Sequence, residues 1–195
     1  MSHRRYTPDS YRIMPWKNGA GSTTELLVEP PGATLAEGFR WRLSMASVAE
    51  SGPFSRFEGY DRTLLLVEGR GVRVEHGPNG SALLAQPLDG CAFPGEWETS
   101  GLLLDGPCLD FNVMSARAAV RHEVFVFRPG PNGASLPVGE LTLVFCLRGR
   151  IAVPALEEAL GPRELLRVGG GADLRVIGLE PETALIVVVF HPVQG

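Results

Sequence analysis

Histidine and cysteine are scarce in this chain. Its 195 residues hold four histidines and three cysteines. His3, His76, His122 and His191 are scattered, with no pair at ligand spacing. That excludes the usual sequence signature of a zinc or other divalent-metal centre, and no metal or cofactor is expected. Cys91, Cys108 and Cys146 make an odd count without a CxxC, so neither a disulfide framework nor a cysteine-based metal site is expected. All three sit in apolar surroundings, where a free thiol behaves as a small buried hydrophobe. This fits a reducing compartment, and the expected location is the cytoplasm. Basic residues are not in excess either: 18 Lys and Arg stand against 22 Asp and Glu, for a net charge of −4. A nucleic-acid footprint needs a basic face, and an anionic membrane surface needs the same, so direct partners of both kinds are disfavoured. Long apolar runs are missing, with none near the ~20 residues of a membrane span. The polar stretch Met1 to Ser10 has no apolar h-region, so no signal peptide is expected. Helical periodicity is missing as well, which argues against βαβ units.

Familiar catalytic motifs are absent too. There is no G-x-S-x-G elbow. Gly19-Ala20-Gly21 is not followed by the Gly-Lys-Ser/Thr of a phosphate-binding loop, and Gly169-Gly170-Gly171 after Val168 reads as a turn.

What is present points to a soluble globular β protein. The hydrophobic share is 44% and mean hydropathy is +0.06, ordinary values for a packed domain. The chain is long enough for a sizeable core in one domain or two small ones. Its 24 glycines and 16 prolines separate short strand-like runs: Thr24–Glu29, Trp41–Val48, Thr63–Val67, Gly71–His76, Cys108–Ser115, Glu123–Phe127, Leu141–Leu147, Arg150–Val153, Leu174–Gly178 and Ala184–Phe190. Many short strands with turn signals between them predict an all-β sandwich or barrel. Glu157–Leu160 and Pro162–Leu166 fit either strand or helix, and Ala33–Gly38 fits a helical turn. The run from Thr63 to Gly69-Arg70 is echoed from Leu143 to Gly149-Arg150, 80 residues later. That offset predicts two similar β units in tandem, unless two hairpins merely share a Gly-Arg turn. The Pro/Gly-rich stretch Phe127–Gly139 reads as the linker. The expected division is residues 1–127, carrying the pocket, and 128–195, a smaller unit with few polar strand residues and a structural role.

The densest chemistry lies in Trp16-Lys17-Asn18-Gly19-Ala20-Gly21-Ser22-Thr23-Thr24-Glu25. Gly19 and Gly21 can adopt positive φ and leave N–H groups uncovered, and successive exposed N–H groups can form an anion nest. Lys17 would add positive charge, and the hydroxyls would add donors. The competing reading is a plain hairpin turn, because Asn-Gly is a strong hairpin signal.

The stretch around Val67-Glu68-Gly69-Arg70-Gly71 resembles the first motif of cupins, which sets two histidines one residue apart, then a glutamate, then a glycine. With Gly69 as that glycine, Arg62 occupies the glutamate position. The histidine positions fall on Ser55 and Phe57, or on Arg56 and Glu58. A guanidinium has no lone pair for a metal, but it grips a carboxylate well. The alternative is a structural ion pair of Arg62 with Asp61, Glu58 or Asp110. Asp110, Asn112 and Met114 share one strand face, either lining a polar cavity or exposed at an edge. Alternation with Trp41 and Leu43 leaves Arg42 on the solvent side. Glu25, Asp61 and Asp110 are the candidate acid–base carboxylates. Phe54, Phe57 and Phe93-Pro94 could wall a flat ligand or simply be core.

Five blocks carry a family resemblance: Pro15-Trp16-Lys17-Asn18-Gly19 with Gly21 and Thr24-Glu25; Trp41-Arg42-Leu43-Ser44; Gly52-Pro53-Phe54-Ser55; Gly59-Tyr60-Asp61-Arg62; and Asp110-Phe111-Asn112-Val113-Met114. In this order they resemble the HutD/Ves family, with Ala20 where many members have glycine. The resemblance implies cupin-type β-barrels, two in one chain (a bicupin), in a protein that binds a small molecule of histidine catabolism such as urocanate, formylglutamate or formate. It implies regulation of histidine utilisation rather than catalysis of a step. The residues expected to hold the carboxylate are Trp16, Lys17, Asn18, Gly19, Thr24, Glu25, Phe54, Ser55, Arg62, Asp110 and Asn112. A metal-independent enzyme on a small organic acid, with Glu25 or Asp110 as base, is the alternative, and a protein–protein module is the third reading. A separate transcriptional regulator stays open as partner, and cupin edges that commonly pair leave a homodimer open.

Overall fold

The computed structural model describes residues 2–17, 19–170 and 173–193. Its regular structure is strand apart from three single-turn 3-10 segments. The first eleven strands are β1 Ser2–Tyr6, β2 Arg12–Pro15, β3 Gly21–Glu29, β4 Trp41–Val48, β5 Gly52–Pro53, β6 Tyr60–Glu68, β7 Val72–Glu75, β8 Ser81–Leu84, β9 Gly90–Pro94, β10 Ser100–Leu103 and β11 Cys108–Ala116. The others are β12 Val120–Phe127, β13 Ala134–Leu136, β14 Leu141–Arg148, β15 Ile151–Val153, β16 Glu158–Leu160, β17 Leu165–Gly169, β18 Leu174–Gly178 and β19 Ala184–Pro192. Contacts divide the chain into two units, one of residues 11–120 and one of residues 1–10 with 121–195.

The same strand order recurs in both units. In the first, the large sheet runs β2-β3-β4-β11-β6-β9 and the small sheet β5-β10-β7-β8. In the second, the large sheet runs β1-β17-β14-β19-β12 and the small sheet β13-β18-β15-β16. Adding eight to each number of β4-β11-β6-β9 gives β12-β19-β14-β17, and the same shift turns one small sheet into the other. Eight antiparallel strands in two sheets is the jelly-roll pattern of cupins, so the fold is all-β and cupin-like.

The Gly-Arg echo marks the corner where each unit passes from its large to its small sheet. Gly69 has φ +113, and a Cβ there would lie 2.8 Å from the Cys108 Cβ. Gly149 has φ +72, and a Cβ there would lie 2.5 Å from Thr183 Oγ1. Both corners therefore need glycine twice over, for conformation and for space. Inside each unit, period-two alternation fills the space between the sheets. Val48, Leu64, Leu66, Val72, Val74 and Phe93 pack together in the first unit, and Val144, Ile151, Leu166, Val176 and Val187 do so in the second.

Several expectations are refined or corrected. Phe127–Gly139 is more than a linker: Phe127 ends β12, and β13 pairs antiparallel with β18, burying Leu136. Residues 2–6, expected in the N-terminal unit, pair instead along β17 from Ser2↔Gly169 to Tyr6↔Leu165 and fall with residues 121–195, because β17 offers an open edge there. The ambiguous stretches Glu157–Leu160 and Pro162–Leu166 yield β16 and the start of β17.

Candidate functional site

The six-stranded sheet of the first unit has a polar inner face. Cross-strand register fixes which side chains stand together. Arg42 lies opposite Met114, and Met114 opposite Arg62. Ser44 is opposite Asn112, and Ala46 opposite Asp110. Glu25 and Thr23 on β3 extend those last two rows, and Arg12 and Met14 on β2 extend them again. Over this face lies a cavity of about 540 Å³. Its wall carries four cations, Arg12, Lys17, Arg42 and Arg62, against two carboxylates, Glu25 and Asp110. A protein of net charge −4 thus surrounds a cavity with more positive than negative groups.

Arg62 is the centre of this wall. It is only 5% exposed. Its guanidinium lies 5.8, 5.3 and 5.0 Å from the ring centres of Phe54, Phe57 and Phe93, a cation–π enclosure. One terminal N–H donates to the Ser55 carbonyl at 3.2 Å, while the buried Nε has no partner. Asp61 pairs instead with Arg117 at 2.9 Å, and no ion pair to Arg62 is found among the described residues. Burial lowers the Arg62 pKa to about 10, opposed by the nearby Asp110, so it stays a cation at neutral pH.

Asp110 and Asn112 stand beside it on β11. Burial pushes the Asp110 carboxyl up to about 7, against the pull of Arg62 and a hydrogen bond from the Ala46 backbone. Asp110 Oδ1 and Asn112 Oδ1 are buried and without partners. Unpaired buried polar atoms cost stability unless something satisfies them. These two residues and Arg62 all line the one cavity.

Four other polar groups of the wall are paired with one another. Arg42 Nε donates to Glu25 Oε2 at 2.7 Å, and Trp16 Nε1 donates to Thr23 Oγ1 at 2.8 Å. Behind the wall, His76 shares a hydrogen bond with Thr99 at 3.1 Å and packs on Phe93. Burial, then the charge of Arg62, lowers its pKa.

The structure brings together Trp16, Lys17, Glu25, Phe54, Ser55, Arg62, Asp110 and Asn112 on the cavity wall. Thr24 is not on that wall. Alternation along β3 puts Thr23 and Glu25 there instead. Gly19 is also off it, in the hairpin loop between β2 and β3, where its N–H donates to the Trp16 carbonyl and so is spent within the turn. Asn18 lies outside the described residues. Arg42, expected toward solvent, is buried and faces the cavity. Trp41 and Leu43 are buried as well, so both faces of β4 are covered. Thr23, one of the loop hydroxyls expected as donors, is on the wall, whereas Arg12, Met14 and Ser44 are not legible in the sequence as site residues. Only strand register places them, and no local motif announces it. Among the described residues no group of three or more His, Cys, Asp or Glu could hold a metal. A second hollow, of about 470 Å³, lies in the other unit. Its Arg128, Arg148, Glu180 and Glu182 are all exposed.

A family model described as HutD matches residues 8–185. An uncharacterized 21.2 kDa protein from the hutC 3' region of Pseudomonas putida is 36% identical over 170 residues, covering 86% of this chain and 83% of that protein. Protein Ves of Escherichia fergusonii is 40% identical over 111 residues, 54% of this chain and 56% of Ves. The structure of HutD from Pseudomonas fluorescens SBW25, described as a formate condition, superposes with a TM-score of 0.84 at 29% identity, covering 99% of this chain and 100% of that one.

Proposed function

The chain belongs to the HutD family, and we propose that it binds a small carboxylate metabolite and thereby modulates histidine utilisation. One observation carries this reading: Arg62, buried in the cavity wall, holds an unpartnered Nε and no carboxylate. A desolvated guanidinium in that state favours an anion with planar, paired acceptors. The excess of cations on the wall adds to the attraction. Trp16 and Phe54, both on the wall, offer aromatic faces to a flat ligand. The relation to the hut region of P. putida and the formate condition of the P. fluorescens protein make urocanate, formylglutamate and formate the acids to test. A cavity of about 540 Å³ has room for the two larger ones. The repeated eight-strand order supports a bicupin with the ligand in its first unit. Free thiols at Cys91, Cys108 and Cys146 support a cytoplasmic setting. A separate transcriptional regulator is then a fitting recipient of the signal, and a homodimer is an arrangement to test alongside it.

Thermal stability with and without each acid is the direct test. A ligand at about 100 times its dissociation constant stabilises by roughly 2.7 kcal/mol, a readily visible shift. The expected result is a shift for at least one acid, lost in Arg62→Ala. An undiminished shift in that variant would overturn the assignment.

A second reading has its own support. A carboxyl with a pKa of about 7 in a cavity, as Asp110 has, suits acid–base catalysis without a metal. Glu25 is held by Arg42 at 2.7 Å, which leaves Asp110 as the candidate base. Consumption of the acid at saturating protein favours the enzyme, and recovery of intact acid favours the binding protein.

A further inference from the structure

The three orphaned atoms differ in chemistry, and the difference describes the occupant. Arg62 Nε–H is a donor. Asp110 Oδ1 is the free oxygen of a carboxyl whose other bond comes from the Ala46 backbone. A carboxylate held at Arg62 meets that oxygen as repulsion unless Asp110 carries a proton and donates it. Asn112 Oδ1 is an acceptor in either case. It stands two residues from Asp110 on the same face of β11, roughly 6.8 Å along the strand. A carboxylate satisfies the first two atoms and cannot satisfy the third.

We infer that the natural occupant is a carboxylic acid bearing a second, neutral hydrogen-bond donor, an N–H or O–H that Asn112 Oδ1 accepts. This rests on the carboxylate reading above and narrows it. Simple acids without such a donor leave Asn112 unpaired. An ammonium is the wrong donor. Asn112 is neutral, Glu25 is engaged by Arg42, Arg62 repels a second cation, and Asp110 must keep its proton to receive the carboxylate, so nothing there repays desolvation of the ammonium.

Isosteric probes test this on the full-length chain. N-acetylglycine and acetoxyacetate share a carboxylate and shape, but the ester replaces the amide N–H with an oxygen. By calorimetry or saturation-transfer NMR, N-acetylglycine is expected to bind wild type at least about tenfold more tightly, the scale of one buried hydrogen bond. Asn112→Leu should bring the two probes to equal affinity, with an undiminished melting temperature showing that the variant folds. Equal affinity of the two probes for wild type, with both lost in Arg62→Ala, would overturn the inference and leave the carboxylate site standing. Glycine binding more tightly than N-acetylglycine would also overturn it. Failure of both probes, and of formate and urocanate, to bind wild type would overturn inference and carboxylate reading together.

Discussion

Asp110 makes this cavity sensitive to pH. Its carboxyl titrates near 7 in the fold against an ordinary value near 3.9, so the folded chain holds the proton more tightly than the unfolded one. The contribution to stability is full below about pH 4 and is lost as pH rises through about 7. Asp110→Asn should therefore lose less stability than wild type between those limits, seen as a shallower fall of melting temperature with pH. Anion binding should follow the same proton. Above pH 7 a carboxylate at Asp110 opposes the ligand's own, so affinity should decline toward about tenfold per pH unit in wild type and stay flat in Asp110→Asn. An equally steep decline in the variant would remove Asp110 from the site. Asn112 gives a second residue-scale prediction. Replacing an amide whose buried oxygen is unpaired by Leu, of similar shape, removes a desolvation cost of about 1–3 kcal/mol, so Asn112→Leu should melt above wild type without ligand. Such a gain from losing a polar group would mark Asn112 as kept for binding rather than for folding.

At the scale of elements, the hairpin between β2 and β3 shows how local chemistry builds one wall of the cavity. Trp16 N–H donates to the Gly21 carbonyl at 2.9 Å, closing the loop under the indole. A Cβ at Gly21 would lie 2.1 Å from the Ser47 carbonyl oxygen and 3.1 Å from the Trp16 ring. Gly21→Ala must therefore push β3 from β4 or the indole from its seat. The expected cost is about 1–3 kcal/mol, with altered Trp fluorescence and weaker ligand binding. This loop was legible because Asn-Gly between apolar runs is a hairpin signal, yet its glycines serve packing and turn formation, and the anion nest read from them does not form at Gly19. Strands such as Trp41–Val48 and Leu174–Gly178 were readable to the residue because turn residues flank continuous apolar or alternating runs. The short strands β5, β10 and β13 were not. Gly52–Pro53 or Ala134–Leu136 has no periodicity of its own, and partners distant in sequence hold it extended. Arg62 could be singled out by its place in a metal motif without metal ligands. Arg42 could not, because its orientation depends on pairing with β11 rather than on its own strand.

At the scale of the whole molecule, the two units have matching strand order but different inner faces. Orphaned polar atoms occur at Arg62, Asp110 and Asn112 of the first unit, and the corresponding strands of the second carry apolar side chains such as Val144, Leu185 and Val187. One unit thus keeps a costly polar interior while the other packs as an ordinary core. The chain start belongs to the second unit: β1 covers the β17 edge along five residue pairs, and Arg5 and His3 reach Glu158 at 3.8 and 3.4 Å. Deleting residues 2–6 should therefore act selectively. The amides of Leu165–Gly169 that face β1 rather than β14 would lose a ladder partner and exchange faster with solvent, and the melting temperature would fall. No residue of the cavity wall lies in β1, so carboxylate affinity should be unchanged. Hydrogen exchange read residue by residue, with ligand titration on the same sample, checks both halves. Loss of affinity on this deletion would show that the first unit depends on the second for its binding geometry, and that the apolar unit does more than support itself.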